Sequence, residues 1–221
     1  MNRAFLPCIK SLLLAAMAVS GFAFASAPAP EAMAKPDAAK GEALYSTGDA
    51  ARGIPACNSC HGAGGNSTIS ANPKLAGQME AYLAKQLHDF TTPERNQAIM
   101  SAYSKALKPE EIRNMAAYLS LQAPKQGTAK APDLAAMGKK IFRGGIAEKR
   151  IPACAGCHSP NGAGIPAQFP RLAGQHQDYT KAQLTAFRSD ARKNSAQMQS
   201  IAKNLSEKEI DALADYIAGL K

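Results

Sequence analysis

The chain has 221 residues, of which 46% are hydrophobic, and its formal net charge is +9. This charge does not indicate a nucleic-acid partner, because the sequence shows neither a basic helix nor an aromatic platform for stacking bases. After residue 25 no segment is apolar enough to cross a membrane, so we expect a mature chain that is soluble or peripheral to a membrane.

Residues 1–25 have the pattern of a secretory signal peptide. Two basic residues precede an apolar run at 12–19, and small residues follow it. Cleavage is predicted after Ala25 or Ala27, since both positions fit the small-x-small rule. A retained membrane anchor is disfavoured, because the apolar run is shorter than the roughly 20 residues needed to span a bilayer. We therefore expect export to the periplasm.

A Cys-x-x-Cys-His motif follows at Cys57, Cys60 and His61. This pentapeptide is the attachment motif of a c-type haem. Each thiol can bond to one vinyl group of the porphyrin, and the adjoining imidazole then lies beneath the iron. A zinc site is disfavoured because zinc takes four ligands and no further correctly spaced ligands lie nearby. A thioredoxin-like pair is disfavoured because no βαβ pattern surrounds the motif.

The sequence around this motif predicts helices and no strands. The predicted helices cover residues 38–45, 79–89 and 98–104, followed by a closing helix that begins at Pro109, a favoured first helical residue. The closing helix has the clearest pattern, with apolar residues at i, i+3, i+4 and i+7. These residues are Ile112, Met115, Ala116 and Leu119. Residues 122–133, which contain two prolines and few apolar residues, are interpreted as a linker.

The second half of the mature chain repeats the first, with Gly41 and the residues after it recurring 97 positions later. The repeat contains a second haem motif at Cys154, Cys157 and His158. The duplication predicts an all-α protein of two tandem haem domains, at residues 37–121 and 134–221. Apart from a cysteine within the predicted signal peptide, every cysteine belongs to a haem motif, so no thiols remain for disulfides.

The group opposite each motif histidine decides function, because a strong sixth ligand makes an electron carrier and an open position makes a catalyst or gas binder. Six methionines follow the signal peptide, and only Met100 and Met198 align with each other, 39 and 40 residues after the motif histidines. An isolated methionine is most often a core residue. Duplication within polar stretches instead favours iron ligation. We interpret His88 and His176 as surface residues, since neither aligns with another histidine.

Taken together, these features resemble the dihaem cytochrome c4 family, which has two class I cytochrome c domains in tandem. The resemblance covers the mature sequence and includes the Pro-x-Leu-Ala-Gly-Gln segments that begin at Pro73 and Pro170. It implies that both proline carbonyls accept a hydrogen bond from the motif histidine and so orient its ring. It also implies pseudo-twofold packing of the domains, with haem propionates near the interface. The family often has an aromatic residue before the proline, which Phe169 supplies and Asn72 does not.

The ligand set and the resemblance together predict an electron carrier with two covalently attached haem c groups and no catalytic residues. We expect it to pass single electrons from a donor of the quinol-cytochrome c reductase type to a terminal oxidase or similar acceptor. A dihaem enzyme of the peroxidase or thiosulfate-oxidising type is disfavoured, because two in-register methionines would close both irons. The alternative that the chain is a dihaem subunit of a larger oxidoreductase complex stays open, because docking surfaces have no recognisable sequence motif.

Charge is distributed unevenly between the two halves. Residues 26–124 hold 9 basic and 9 acidic side chains, whereas residues 125–221 hold 15 basic and 8 acidic ones, a net charge of +7. We interpret the basic half as a docking surface for an acidic redox protein or an anionic membrane surface. Because ferric haem carries one more positive charge than ferrous haem, we predict the higher potential at the second haem.

Overall fold

In the part of the chain that the structure describes, two sets of five helices follow one another in the same order. The computed structural model describes residues 34–221, and within them it contains short 3-10 turns and isolated bridges but no β-strand. The predicted signal peptide lies outside the described residues. The helices of the first domain are α1 Ala38–Thr47, α2 Asn58–His61, α3 Glu80–Asp89, α4 Ala98–Ala106 and α5 Pro109–Ser120. Those of the second are α6 Pro132–Gly144, α7 Ala155–His158, α8 Gln177–Arg188, α9 Ala196–Ala202 and α10 Glu207–Gly219. The predicted all-α fold with two duplicated domains is confirmed.

The first and last helices of each domain pack against each other at a glycine. A Cβ atom built on Gly41 would lie 2.0 Å from the carbonyl oxygen of Asn114, and one built on Gly138 would lie 2.0 Å from that of Ala212. No other residue fits at either position without separating the helices. The two glycines are 97 residues apart, so the close crossing is part of the duplicated unit.

Each domain has its own apolar core, and the second is larger. The predicted stripe of the closing helix is buried in both domains apart from the half-buried Ile112, with Met115 and its counterpart Leu213 each 2% exposed. The main cluster of the first domain comprises Tyr45, Leu83, Ala116, Tyr118 and Leu119. That of the second comprises Ile141, Phe142, Ile151, Ala173, Leu205, Ile210, Leu213, Ile217 and Leu220. Met137, on α6, packs against this cluster.

A glutamate holds the first turn of each closing helix; Glu209 is buried and Glu111 is half-buried. Glu111 accepts from the Lys108 backbone N–H at 2.8 Å and from Arg52 at 2.7 Å. Its counterpart Glu209 accepts from the Ser206 N–H at 2.7 Å and from Lys149 at 2.7 Å. Each carboxylate thereby satisfies a backbone N–H group at the start of the helix that would otherwise lack a partner. It also binds a basic side chain from the loop that follows the first helix of the same domain.

The two domains contact each other through reciprocal pairs of duplicated residues. Gln78 binds the Arg171 backbone with both ends of its amide, donating to the carbonyl and accepting from the N–H at 2.9 Å each. Gln175 binds the Lys74 backbone in the same way, again at 2.9 Å for both bonds. Because each partner is 97 residues from its counterpart, these contacts have the pseudo-twofold symmetry that the resemblance implied.

A second set of reciprocal contacts joins an arginine that follows α3 or α8 to a tyrosine on the other of these two helices. Arg95 donates to the Tyr179 hydroxyl at 3.0 Å, and Arg192 donates to the Tyr82 hydroxyl at 3.2 Å. Both guanidinium groups are buried, at 7% and 6% exposed. Each also stacks on a phenylalanine of its own domain, at 4.2 and 4.4 Å from the ring centroid. The arginines therefore join the domains while remaining anchored in their own halves.

The segment between α5 and α6 is bound to both domains. Asn66 of the first domain donates to the Ala123 carbonyl and accepts from the Lys125 N–H, at 3.0 and 2.7 Å. Asp215 of the second accepts from the N–H groups of Lys130 and Ala131, at 2.8 and 3.2 Å. The segment between α5 and α6 is therefore an ordered strap that contacts both domains as well as the covalent connection between them.

None of the helices in residues 34–221 is long and apolar enough to span a bilayer.

Candidate haem sites

Each haem motif forms a single helical turn. In α2 the His61 N–H donates to the Cys57 carbonyl at 2.9 Å, and in α7 the His158 N–H donates to the Cys154 carbonyl at 2.9 Å. The first cysteine of each motif is half-buried and the second, Cys60 or Cys157, is exposed. All four thiols are free, so each pair is available for covalent attachment.

Burial keeps the leading thiol of the second motif in its neutral form. It raises the pKa of Cys154 to about 11, outweighing a small opposing hydrogen bond. Burial also raises the pKa of Cys57. Both are therefore thiols rather than thiolates at neutral pH, which distinguishes them from the low-pKa cysteines of redox enzymes.

Both motif histidines are buried and oriented by a backbone carbonyl. His61 Nδ1 lies 3.0 Å from the Pro73 carbonyl oxygen, and His158 Nδ1 lies 2.9 Å from that of Pro170. Burial lowers the pKa of both rings, against the opposing effect of the carbonyl hydrogen bond. Each imidazole is then neutral at pH 7 and donates through Nδ1, which leaves the lone pair of Nε2 to bind iron.

The residue before each proline differs between the domains, as the sequence shows. The Phe169 ring packs edge-on against the His158 ring, with centroids 6.1 Å apart. In the first domain Asn72 instead donates from its amide to the Cys60 carbonyl at 3.1 Å. At this position the first domain therefore has a hydrogen bond to the motif backbone, whereas the second domain has an aromatic ring packed on the motif histidine.

The two aligned methionines occupy equivalent positions, each the third residue of a short helix. The Met100 N–H donates to the side chain of Gln97 at 2.7 Å, and the Met198 N–H donates to Ser195 Oγ at 3.3 Å. Both methionines are half-buried. The capping residue fixes the helix start and with it the backbone of the methionine three positions later.

The donor sets fit a c-type haem in both domains. Each offers two free thiols, a neutral imidazole with an available nitrogen and a half-buried methionine. One residue after Pro170, the buried Nε of Arg171 has no hydrogen-bond partner within residues 34–221. That donor is available to a haem propionate, because guanidinium groups form charge-assisted hydrogen bonds with carboxylates.

Sequence reasoning missed most of the residues that join the two sites. His176, expected at the surface, lies at the interface, where its Nε2 is 2.9 Å from the Ser67 carbonyl oxygen of the first domain. His88 is exposed, with 73% of its side chain accessible. In the sequence, Arg95 and Arg192 are recognisable only as an arginine that begins both of the polar stretches leading to Met100 and Met198. Their repetition 97 residues apart was the available signal.

Comparison with known proteins identifies the family. Residues 135–221 match the family model of cytochrome c, and residues 36–119 match that of cytochrome c oxidase, cbb3-type, subunit III. Cytochrome c4 of Pseudomonas aeruginosa is 45% identical over 183 residues, covering 80% of this chain and 90% of that protein. The chain belongs to the cytochrome c4 family. It is a dihaem electron-transfer protein that binds two haem c groups covalently.

A solved cytochrome c4 structure agrees with this assignment. The reduced recombinant cytochrome c4 from Pseudomonas stutzeri superimposes with a TM-score of 0.77 at 40% identity, covering 84% of this chain and all of that one. A protein named thiosulfate dehydrogenase electron acceptor, from Stutzerimonas stutzeri strain A1501, is 38% identical over 195 residues. It covers 83% of this chain, and this chain covers 87% of it. One relative of this chain is therefore named for its electron donor, whereas the cytochrome c4 relatives are not.

Proposed function

We propose that this cytochrome c4 is a periplasmic carrier that passes single electrons between a respiratory donor complex and a terminal oxidase or similar acceptor. The observation that carries the proposal is the equivalence of the two sites. Each domain has a carbonyl-oriented histidine and a methionine on a short capped helix, and these two side chains would supply both protein ligands of an iron. Such a site has no position for substrate, so no catalytic residue is assigned.

The chain's own residues fix the site before any electron arrives. The four cysteines Cys57, Cys60, Cys154 and Cys157 would hold the haem groups covalently. His61 and His158 would supply the basic nitrogen ligand, with ring orientation set by the Pro73 and Pro170 carbonyls. Met100 and Met198 would supply the thioether ligand, which favours ferrous iron and raises its potential. Bound haem supplies the one-electron chemistry.

The rigid frame around these ligands suits rapid transfer. Buried histidines, capped ligand helices and a hydrogen-bonded interface leave few groups that can move when the charge changes. The +7 charge of residues 125–221 supports an acidic partner or an anionic membrane surface for the second domain. Residues 1–25, as a signal peptide, would direct the chain to the periplasm.

Visible spectra of the oxidised and reduced protein, with a haem count and a carbon monoxide titration, test this proposal. We expect two low-spin haems per chain that do not bind carbon monoxide. A high-spin haem that binds carbon monoxide at neutral pH would contradict the carrier and support a dihaem enzyme. The spectrum of a Cys57→Ala/Cys60→Ala variant, which should retain one covalent haem, checks that each motif serves one group.

A second donor is supported by the relative named thiosulfate dehydrogenase electron acceptor. Under this alternative the protein accepts electrons that a separate thiosulfate-oxidising enzyme has released. Thiosulfate alone should then leave the protein oxidised, whereas thiosulfate with a purified thiosulfate dehydrogenase should reduce it. Reduction by thiosulfate alone would instead place the oxidation chemistry in this chain.

A further inference from the structure

The residues before Met198 are held by the opposite domain. The Asn194 side-chain amide donates to Gln86 Oε1 at 2.9 Å and to Asp89 Oδ2 at 2.6 Å. The Asn194 carbonyl also accepts from Lys85 Nζ at 3.3 Å. All three partners lie on α3 of the first domain. We call Gln86, Asp89 and Asn194 the cross-domain clamp.

The neighbouring backbone adds a further bond between the domains. The Lys193 N–H donates to the Glu94 carbonyl at 2.7 Å. Lys193 is the residue by which the second repeat is one longer than the first. Arg192 Nε donates to Asn194 Oδ1 at 2.9 Å, so both ends of the Asn194 amide are bound. The segment is thus fixed by side chain and backbone together.

The distance along the chain from the clamp to the ligand is short. Ser195 follows Asn194 directly, and its hydroxyl accepts from the Met198 N–H. A shift of Asn194 therefore moves the capping residue and the first turn of α9, where Met198 lies. The position of this methionine depends on contacts made by the first domain.

The first domain has no matching clamp. Asn96, the counterpart of Asn194, is exposed, and its Oδ1 accepts from Ser101 of its own domain at 3.4 Å. The second-domain positions that match Lys85 and Asp89 are Ala182 and Ala186, which cannot supply these bonds. Because the duplicated unit folds without the clamp in one copy, the fold does not require it.

The location of Asp89 also points to this role. It is the last residue of α3, where the helix dipole disfavours a carboxylate. Only 14% of its side chain is exposed. Lys85 and Asn194 contact the carboxylate and compensate for its charge and burial. A lysine of α3 and an amide from across the interface thus share the stabilisation of this carboxylate.

We propose that the cross-domain clamp positions Met198, so that the first domain holds the distal ligand of the second iron through Asn194. The second domain binds Glu94 and Arg95, but Asn96, the residue that corresponds to Asn194, bonds within its own domain. This inference rests on the proposed methionine ligation. Its consequence is a difference between the two irons in how readily an external ligand displaces the methionine. While the domains are docked, Met198 is the harder of the two to displace.

Imidazole titration of the ferric holoprotein tests the clamp. The imidazole nitrogen binds the iron as the methionine sulfur leaves, and no electron is transferred. Proton NMR distinguishes the two haems. In Asp89→Ala the clamp loses its charged acceptor, and we expect imidazole affinity at the second haem to rise about tenfold with the first haem unchanged. An unchanged second haem, or an equal rise at both, would overturn the proposal.

Two further variants distinguish positioning from a general loss of structure. Asp89→Asn keeps an oxygen acceptor and should restore most of the wild-type affinity. Asn96→Ala, the matched change in the first domain, should alter neither haem. A rise at the first haem in Asn96→Ala would contradict the asymmetry. If the unsubstituted ferrous protein lacks the shifted methyl signals of two ligand methionines, the proposed ligand set fails before any variant is made.

Discussion

At the scale of single residues, the duplication serves as an internal control. Met115 and Met100 belong to the same domain, yet only Met100 has a methionine counterpart. Met115 is 2% exposed and aligns with Leu213, which is equally buried. A core methionine can be replaced by leucine, since both fill the same apolar volume. A ligand methionine cannot, because only its sulfur binds iron.

Replacement of either proposed ligand should open one haem. In Met198→Ala we expect the reduced protein to bind one carbon monoxide per chain and the potential of that haem to fall, because the thioether no longer favours ferrous iron. Met100→Ala should have the same effect on the other haem. Carbon monoxide titration with a spectroelectrochemical titration measures both effects. Met115→Leu is the control and should bind none; binding in that variant would reject the assignment.

At the scale of elements, the duplicated glutamates govern how the closing helices respond to acid. Hydrogen bonding from Arg52 lowers the pKa of Glu111. Burial acts to raise the pKa of Glu209, but the hydrogen bonds from Lys149 and Ser206 outweigh it and the pKa is lowered. A carboxylate whose pKa is lowered on folding stabilises the native state above its unfolded pKa. That contribution is lost as the pH falls through the native pKa.

Glu209→Gln should therefore destabilise the holoprotein at pH 7 and matter less in acid. We expect a loss of about 1–2 kcal/mol in unfolding free energy at pH 7, from the weakened cap and the lost ion pair. The difference from wild type should shrink as the pH falls below the reference pKa of 4.5. Urea unfolding at several pH values measures it. Asp211→Asn, which breaks an exposed pair with Lys181, should change stability little.

Local features of the fold were predictable from sequence, and contacts between the domains were not. The helices, the haem motifs and the buried stripe follow from patterns within a few turns of chain. The partners of Gln78 and Asn194 are more than 90 residues away in sequence, so no local pattern indicates them. His176 was placed wrongly for the same reason. Its counterpart is Met79, and only the packed domains show why neither is at a free surface.

At the scale of the whole molecule, the two similar haem sites lie in halves of the chain that differ in net charge. The two proposed ligand sets are the same, so we expect small intrinsic differences between the irons. The 15 basic and 8 acidic side chains of residues 125–221 disfavour an added positive charge there. At an effective dielectric of about 20 and about 10 Å, one unit charge contributes roughly 1.7 kcal/mol before screening. Solvent and salt reduce this strongly.

We accordingly predict that the second haem has the higher potential, by tens of millivolts after screening, and that electrons run from the first domain to the second. A redox titration followed by NMR, with each haem assigned, measures the order directly. The gap should narrow as ionic strength rises. A higher potential at the first haem would show that local packing, such as the Phe169 and Asn72 difference, outweighs the charge of the domain.

The reciprocal glutamine contacts bear on how the association of the two domains depends on protein concentration. An interface in which residue i meets j and j meets i is the kind that a twofold homodimer uses. Two separate copies of such a domain would part on dilution. Here the strap between α5 and α6 makes association intramolecular, at an effective concentration on the order of millimolar for a short linker. The assembly of the two haem domains is therefore independent of dilution, so the cell's supply of this protein does not change the fraction in which the haem domains are paired.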